Sequence, residues 1–151
     1  MTSVIRNAQL VDGSGAPARA ADVAFEGDTI IAVEPAGTIG RSDSSVDADG
    51  LLLTPGFVDV HTHYDAQATW DPFITPSGWH GVTTTIMGNC GVGFAPAAPD
   101  RHEWLIQLME GVEDIPGSAL TEGLKWGWES YPEYLDVLAQ LPRVMDVGSL
   151  I

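Results

Sequence analysis

Positive charge is scarce in this chain: 6 lysine and arginine side chains stand against 21 aspartates and glutamates, a formal net charge of −15 over 151 residues. That balance argues against nucleic acid and anionic membrane as partners, because both are bound through clusters of cations. The acidic excess reads as a solvated exterior. Cysteine is just as scarce, with Cys90 alone, so no internal disulfide can form. Long apolar runs are missing too; nothing approaches the roughly 18 residues of a membrane span. The opening Met1-Thr2-Ser3-Val4-Ile5-Arg6-Asn7 lacks the basic region and apolar stretch of a signal peptide. The expected compartment is the cytoplasm, where a lone thiol stays reduced.

What is present suits a globular protein. Apolar residues make up 44% of the chain and include five tryptophans, enough to bury a core. The length is too small for a closed (β/α)8 barrel, which needs about 250 residues. Residues 1–54 read as short strands: Ser3–Leu10, Asp22–Glu26, Thr29–Glu34 and a resumption at Leu51-Leu52-Leu53, with turns at Asp12-Gly13 and Gly27-Asp28. The small, polar stretch Gly37–Ser45 is predicted to be a loop. So few strands would leave edges and an apolar face uncovered.

The pattern changes over residues 55–151. Phe57–Thr62 and Val82–Met87 are near-continuous apolar or β-branched runs, as in strands buried on both sides of a parallel sheet. A helix is predicted from Asp100, capped by that residue with Glu103 in a capping box, and carrying Trp104, Leu105, Leu108, Met109 and Val112 on one face. A second is predicted from Ser130 and Glu133, with Tyr134, Leu135, Leu138 and Leu141 as its stripe and Pro142 as its stop. The segment between them reads as a linker, and Val144–Ile151 as a third strand. Alternation of strands and helices implies a parallel α/β sheet.

The chemistry centres on Pro55-Gly56-Phe57-Val58-Asp59-Val60-His61-Thr62-His63. Alternate residues of a strand share a face, so Asp59, His61 and His63 point one way and Val58, Val60 and Thr62 the other. The apolar set can pack on helices, leaving two imidazoles at a strand's C-terminal end, where barrel enzymes keep their sites. Neutral imidazoles on alternate residues can hold one divalent metal, with zinc the default for mixed nitrogen, oxygen and sulfur donors. Cys90 follows the second strand within Gly88-Asn89-Cys90-Gly91. It can be a small buried hydrophobe, a nucleophile with a histidine base, or a thiolate ligand; the flanking glycines favour a functional role, because they let the backbone turn tightly. Asp59 can back the ligands or cap a turn, and Asp65 and Asp71 can help with substrate or cap turns. His80 and His102 are read as structural, and Trp70, Trp79, Trp126 and Trp128 as packing under loops.

Residues Pro55–Asp65, followed by Gly88-Asn89-Cys90-Gly91-Val92-Gly93-Phe94-Ala95-Pro96 and by Trp126-Gly127-Trp128-Glu129-Ser130-Tyr131-Pro132-Glu133-Tyr134-Leu135, resemble the metal-dependent amidohydrolase superfamily and, more narrowly, its N-acyl-D-amino-acid deacylase group. The resemblance implies part of a small β-sandwich over residues 1–54 and the first βα units of an incomplete (β/α)8 TIM barrel over 55–151. It implies that His61 and His63 bind one metal position and that Cys90 is a zinc ligand able to bridge to a second. It implies hydrolysis of an N-acyl-D-amino acid, a small-molecule substrate, with further histidines and a catalytic aspartate supplied by later strands. The chain is therefore expected to be a fragment that is inactive alone. A cyclic-amide or dipeptide hydrolase and a non-catalytic remnant are the alternatives.

Overall fold

A computed structural model describes residues 1–151 as two compact units, Met1–Pro55 and Gly56–Ile151.

The first unit is a sheet of β1 (Thr2–Leu10), β2 (Arg19–Glu26), β3 (Thr29–Pro35), β4 (Ser44–Asp47) and β5 (Leu52–Leu53). The order is β3-β2-β1-β4, with β5 also on β1. β1–β2 and β2–β3 pair antiparallel, while β4 and β5 run parallel to β1. A bulge interrupts β1 between Ile5 and Ala8, where Asn7 takes a left-handed φ of 56°. The fully buried Asp22 resolves it: its carboxylate accepts the Asn7 N–H at 2.9 Å and the Gly37 N–H at 3.0 Å, beside the Arg6 guanidinium at 3.6 Å. A buried charge is tolerable only with partners of this kind. Leu10, Ala21 and Val23 form a small core with Leu53 packed on it. Ile30, Val46 and Leu52 stay 65–71% exposed, the uncovered apolar surface that the sequence predicts. The stretch expected to be loop is shorter than anticipated, because Ser44 and Ser45 already pair with Ser3 and Val4.

The second unit holds β6 (Phe57–Asp59), β7 (Val82–Met87) and β8 (Asp146–Ser149), all parallel in that order. Helices α1 (His102–Glu113), α2 (Gly117–Gly123) and α3 (Tyr131–Gln140) connect β7 to β8. The β6–β7 connection contains only short 3-10 turns, at Gln67–Thr69 and Ser77–His80; Pro72, Pro76 and Gly78 break any longer helix there. The core gathers Ile74, Met87, Phe94, Met109, Leu120, Trp128, Tyr134 and Leu138.

Several expectations need correction. The first strand of this unit ends at Asp59, not Thr62. Its apolar residues are not buried: Phe57, Val58 and Val60 are 58–67% exposed, because β6, paired only with β7, has no layer covering its two faces. Asp100 does not cap α1; a 3-10 turn, Pro99–Arg101, leads into it and no side chain caps it. Only Leu105 and Met109 of its predicted stripe are buried. The presumed linker contains α2, which places Leu120 in the core. Trp79 is exposed and does not pack under a loop. The capping box of α3 forms as the sequence predicts: Ser130 caps Glu133, whose carboxylate accepts the Ser130 N–H at 2.8 Å.

Candidate metal centre

The site begins where two neighbouring strands end. Beyond β6 the chain stays extended long enough for the Thr62 N–H to donate to the Ile86 carbonyl at 2.9 Å. Thr62 is buried, and its hydroxyl meets that of Thr85 at 2.7 Å. Anchoring Thr62 inward turns its neighbours His61 and His63 to the other side. Their rings lie 5.6 Å apart at 58°. His61 is exposed and His63 half-buried. Asp59 behaves as a turn acceptor, taking the His61 N–H at 3.2 Å.

Cys90 arrives from the end of β7. Gly88, Cys90 and Gly91 have φ of 78°, 58° and 71°, a left-handed sequence that glycine permits and that a cysteine enters at a cost of about 1–3 kcal/mol. Such strain is retained where the surroundings enforce it, and buried Asn89 does so. Its side-chain amide donates to the carbonyls of Thr62 at 3.2 Å and Ile86 at 2.9 Å. No sequence motif assigns Asn89 a role; its signal is a polar residue that directly follows a glycine at a strand end.

Together these constraints bring Nε2 of His61 to 3.2 Å from Sγ of Cys90. One donor atom from each of His61, His63 and Cys90 falls within 4.8 Å of the others. Tetrahedral zinc holds nitrogen and sulfur donors about 3.5 Å apart, so the donor set and its spacing suit that ion. The remaining candidates lie outside the cluster. Asp71 organises its own loop, accepting from the Phe73 and Thr75 N–H groups at 2.9 Å each, from Gln67 at 2.8 Å and from the Thr75 hydroxyl at 2.8 Å. Partial burial acts to raise its carboxyl pKa, but those hydrogen bonds win and hold it at about 2. His80 is exposed. His102 stacks on Trp126 with centroids 3.7 Å apart.

Asp65 is a different case. It is buried, and its Oδ2 makes no hydrogen bond. Burial pushes its carboxyl above the usual range, against the lowering pull of the Gly88 N–H. With Cys90, Tyr131, Tyr134 and Ser149 it lines a cleft of about 360 Å³, a size that admits a small molecule. The Tyr134 hydroxyl donates to the Asp65 backbone carbonyl at 2.6 Å, and Trp128 Nε1 donates to the Phe94 carbonyl at 2.7 Å. The segment 126–135 thus braces the loop after Cys90.

Residues 45–149 match the amidohydrolase family, and the chain belongs to that family. It is 33% identical to the D-aminoacylase of Alcaligenes xylosoxydans xylosoxydans over 142 residues, covering 94% of this chain and 27% of that enzyme. It is 31% identical to the N-acyl-D-aspartate deacylase of the same organism, covering 98% and 27%. A crystal structure of D-aminoacylase superposes with a TM-score of 0.78 at 30% identity, covering 99% of this chain and 29% of that one. The N-acyl-D-glutamate deacylase of Bordetella bronchiseptica, solved with zinc and a phosphonate mimic of the tetrahedral intermediate, superposes at 0.70 with 27% identity and the same coverage. The chain spans about a quarter of the length of the curated relatives it matches. It has the mixed α/β fold of the N-terminal part of D-aminoacylase.

Proposed function

We propose that this chain is the metal-binding front of a zinc-dependent hydrolase that cleaves the amide bond of N-acyl-D-amino acids. The observation that carries the reading is the convergence of His61, His63 and Cys90 donor atoms within 4.8 Å. The identity to a D-aminoacylase and an N-acyl-D-aspartate deacylase over nearly the whole chain supports the substrate class. On this reading residues 1–54 contribute to a small β-sandwich and residues 55–151 supply the first βα units of a (β/α)8 barrel.

His61 and His63 would hold the metal through their imidazole nitrogens, with Cys90 as a thiolate ligand beside them. A zinc ion held there supplies polarisation of the acyl carbonyl and activation of water. Asn89 keeps the Cys90 turn in register with the histidines. The cleft beside Cys90 receives the acyl amino acid, with the carboxyl of Asp65 in its wall.

On this reading the metal donors are His61, His63 and Cys90, the catalytic carboxylate is supplied from outside residues 1–151, and these residues alone bind metal without turnover. The test has two arms. Chelator competition on the chain should show zinc uptake that requires Cys90. A complete protein containing this chain should release D-amino acid from N-acyl-D-amino acids in preference to opening cyclic imides. Preference for the cyclic imide would overturn the substrate class, and no zinc uptake would overturn the metal site.

A further inference from the structure

We propose that Glu113, at the C-terminal end of α1, is the positioning residue for His63, fixing its tautomer so that Nε2 is the metal-binding atom. Nδ1 of His63 is buried and makes no hydrogen bond. A carboxylate oxygen of Glu113, Oε1, stands 3.4 Å from it. That separation is slightly longer than an ordinary hydrogen bond, and Glu113 is the acidic partner the structure places against this nitrogen. No other partner for Nδ1 is present, and a buried ring N–H left unpaired is costly. An imidazole that donates Nδ1–H to a carboxylate carries its lone pair on Nε2, the form a metal requires, and becomes a stronger donor.

The position of Glu113 is set by the backbone. It is the last residue of α1, and Asp114 ends the helix in a left-handed conformation with φ 54°. The inward side of the same helix is pinned by Leu105 and Met109 in the core. The Glu113 side chain is only 21% exposed and that of His63 only 17%, so their contact is shielded from water and resists screening by salt. His61 has no such arrangement: its Nε2 faces Cys90 and the ring is exposed. The two histidines are therefore unequal, His63 being the pre-oriented ligand.

This inference rests on the metal-site reading above, and two measurements separate the failure of each. Long-range proton–nitrogen NMR on metal-free protein reads the His63 tautomer directly and needs no variant. The expected state is Nδ1–H; an Nε2–H ring would overturn the positioning role even if zinc binds. Zinc affinity by chelator competition then reads the consequence. Glu113→Ala is expected to weaken binding about 10- to 100-fold. Glu113→Gln, whose amide oxygen still accepts Nδ1–H, should restore most of it, and Val112→Ala on the exposed side of the same turn should change nothing. Unchanged affinity in Glu113→Ala overturns the proposal. An Nδ1–H tautomer in a protein that takes up no zinc overturns the metal-site reading and takes the positioning role with it.

Discussion

The side-chain amide of Asn89 donates to the backbone carbonyl of Thr62 across the ends of two neighbouring strands, at 3.2 Å. The same amide reaches the Ile86 carbonyl at 2.9 Å. One buried side chain thereby ties the histidine segment to the turn that carries Cys90. Asn89→Ala takes the amide donor from the Thr62 carbonyl, while the Ile86 carbonyl keeps the Thr62 N–H and hydroxyl, and should cost about 1–3 kcal/mol of stability. Zinc affinity should fall with it, on the order of tenfold, as with other groups that orient ligands. Denaturant unfolding and chelator competition on the same variant check both; a destabilised protein with unchanged zinc affinity would show that Asn89 serves the fold alone.

Cys90 is exposed, so Cys90→Ser should leave stability within about 0.5 kcal/mol of the parent. The metal readout should change sharply. Cobalt bound to the parent should give a thiolate-to-metal charge-transfer band, and the serine variant should lose it. A band of undiminished intensity in the variant would exclude the thiol as a ligand.

Asp71 gives a pH signature. Its folded pKa of about 2 lies below the ordinary 3.8, so the carboxylate form is favoured in the fold. A depressed pKa contributes stability that is present above about pH 4 and lost as pH falls through about 2. The group is partly solvated, so screening reduces the full linkage value to about 1 kcal/mol. Asp71→Ala should therefore be less stable than the parent at pH 7, and the gap should narrow between about pH 4 and 2. A pH-independent gap in parallel urea titrations would refute the charged hydrogen-bond network.

Gly88 packs tightly against Leu150, just past the ends of β7 and β8. A Cβ there would lie 2.5 Å from the Leu150 carbonyl oxygen and 3.1 Å from its nitrogen, with a φ of +78° that an L side chain resists. Backbone atoms cannot rotate away as a side chain can. Gly88→Ala should cost about 2 kcal/mol or more and loosen the Cys90 turn that follows. A thermal melt unchanged from the parent would mean that the strand ends separate easily.

Local signals proved legible where chemistry and periodicity coincide. The Val82–Met87 strand was read at its true bounds because β-branched residues sit between Gly81 and Gly88. The second helix is legible because the side chains of Ser130 and Glu133 each accept the other's backbone N–H within one turn. The first helix is legible but its cap is not: Pro99 starts a tighter turn that uses the backbone instead of the Asp100 side chain. α2 is not legible in the sequence because a seven-residue segment bounded by Gly117 and Gly123 has weak helical propensity; Leu120 in the core holds it. The exposure of Val58 and Val60 could not be read from their hydrophobicity, since burial depends on which elements arrive to cover a strand.

The sequence alone determined which donors are available: two imidazoles two residues apart and one thiol between glycines, in an acidic chain without a disulfide. Periodicity was enough to put the histidines on one side and Thr62 on the other, because alternation along an extended backbone is local geometry. Only the tertiary structure decided that Cys90, 29 residues from His61, lies 3.2 Å from it. It also decided that Glu113, 50 residues beyond His63, faces that ring. Those distances come from parallel pairing of β6 and β7 and from the packing of α1, interactions between segments that no local pattern encodes.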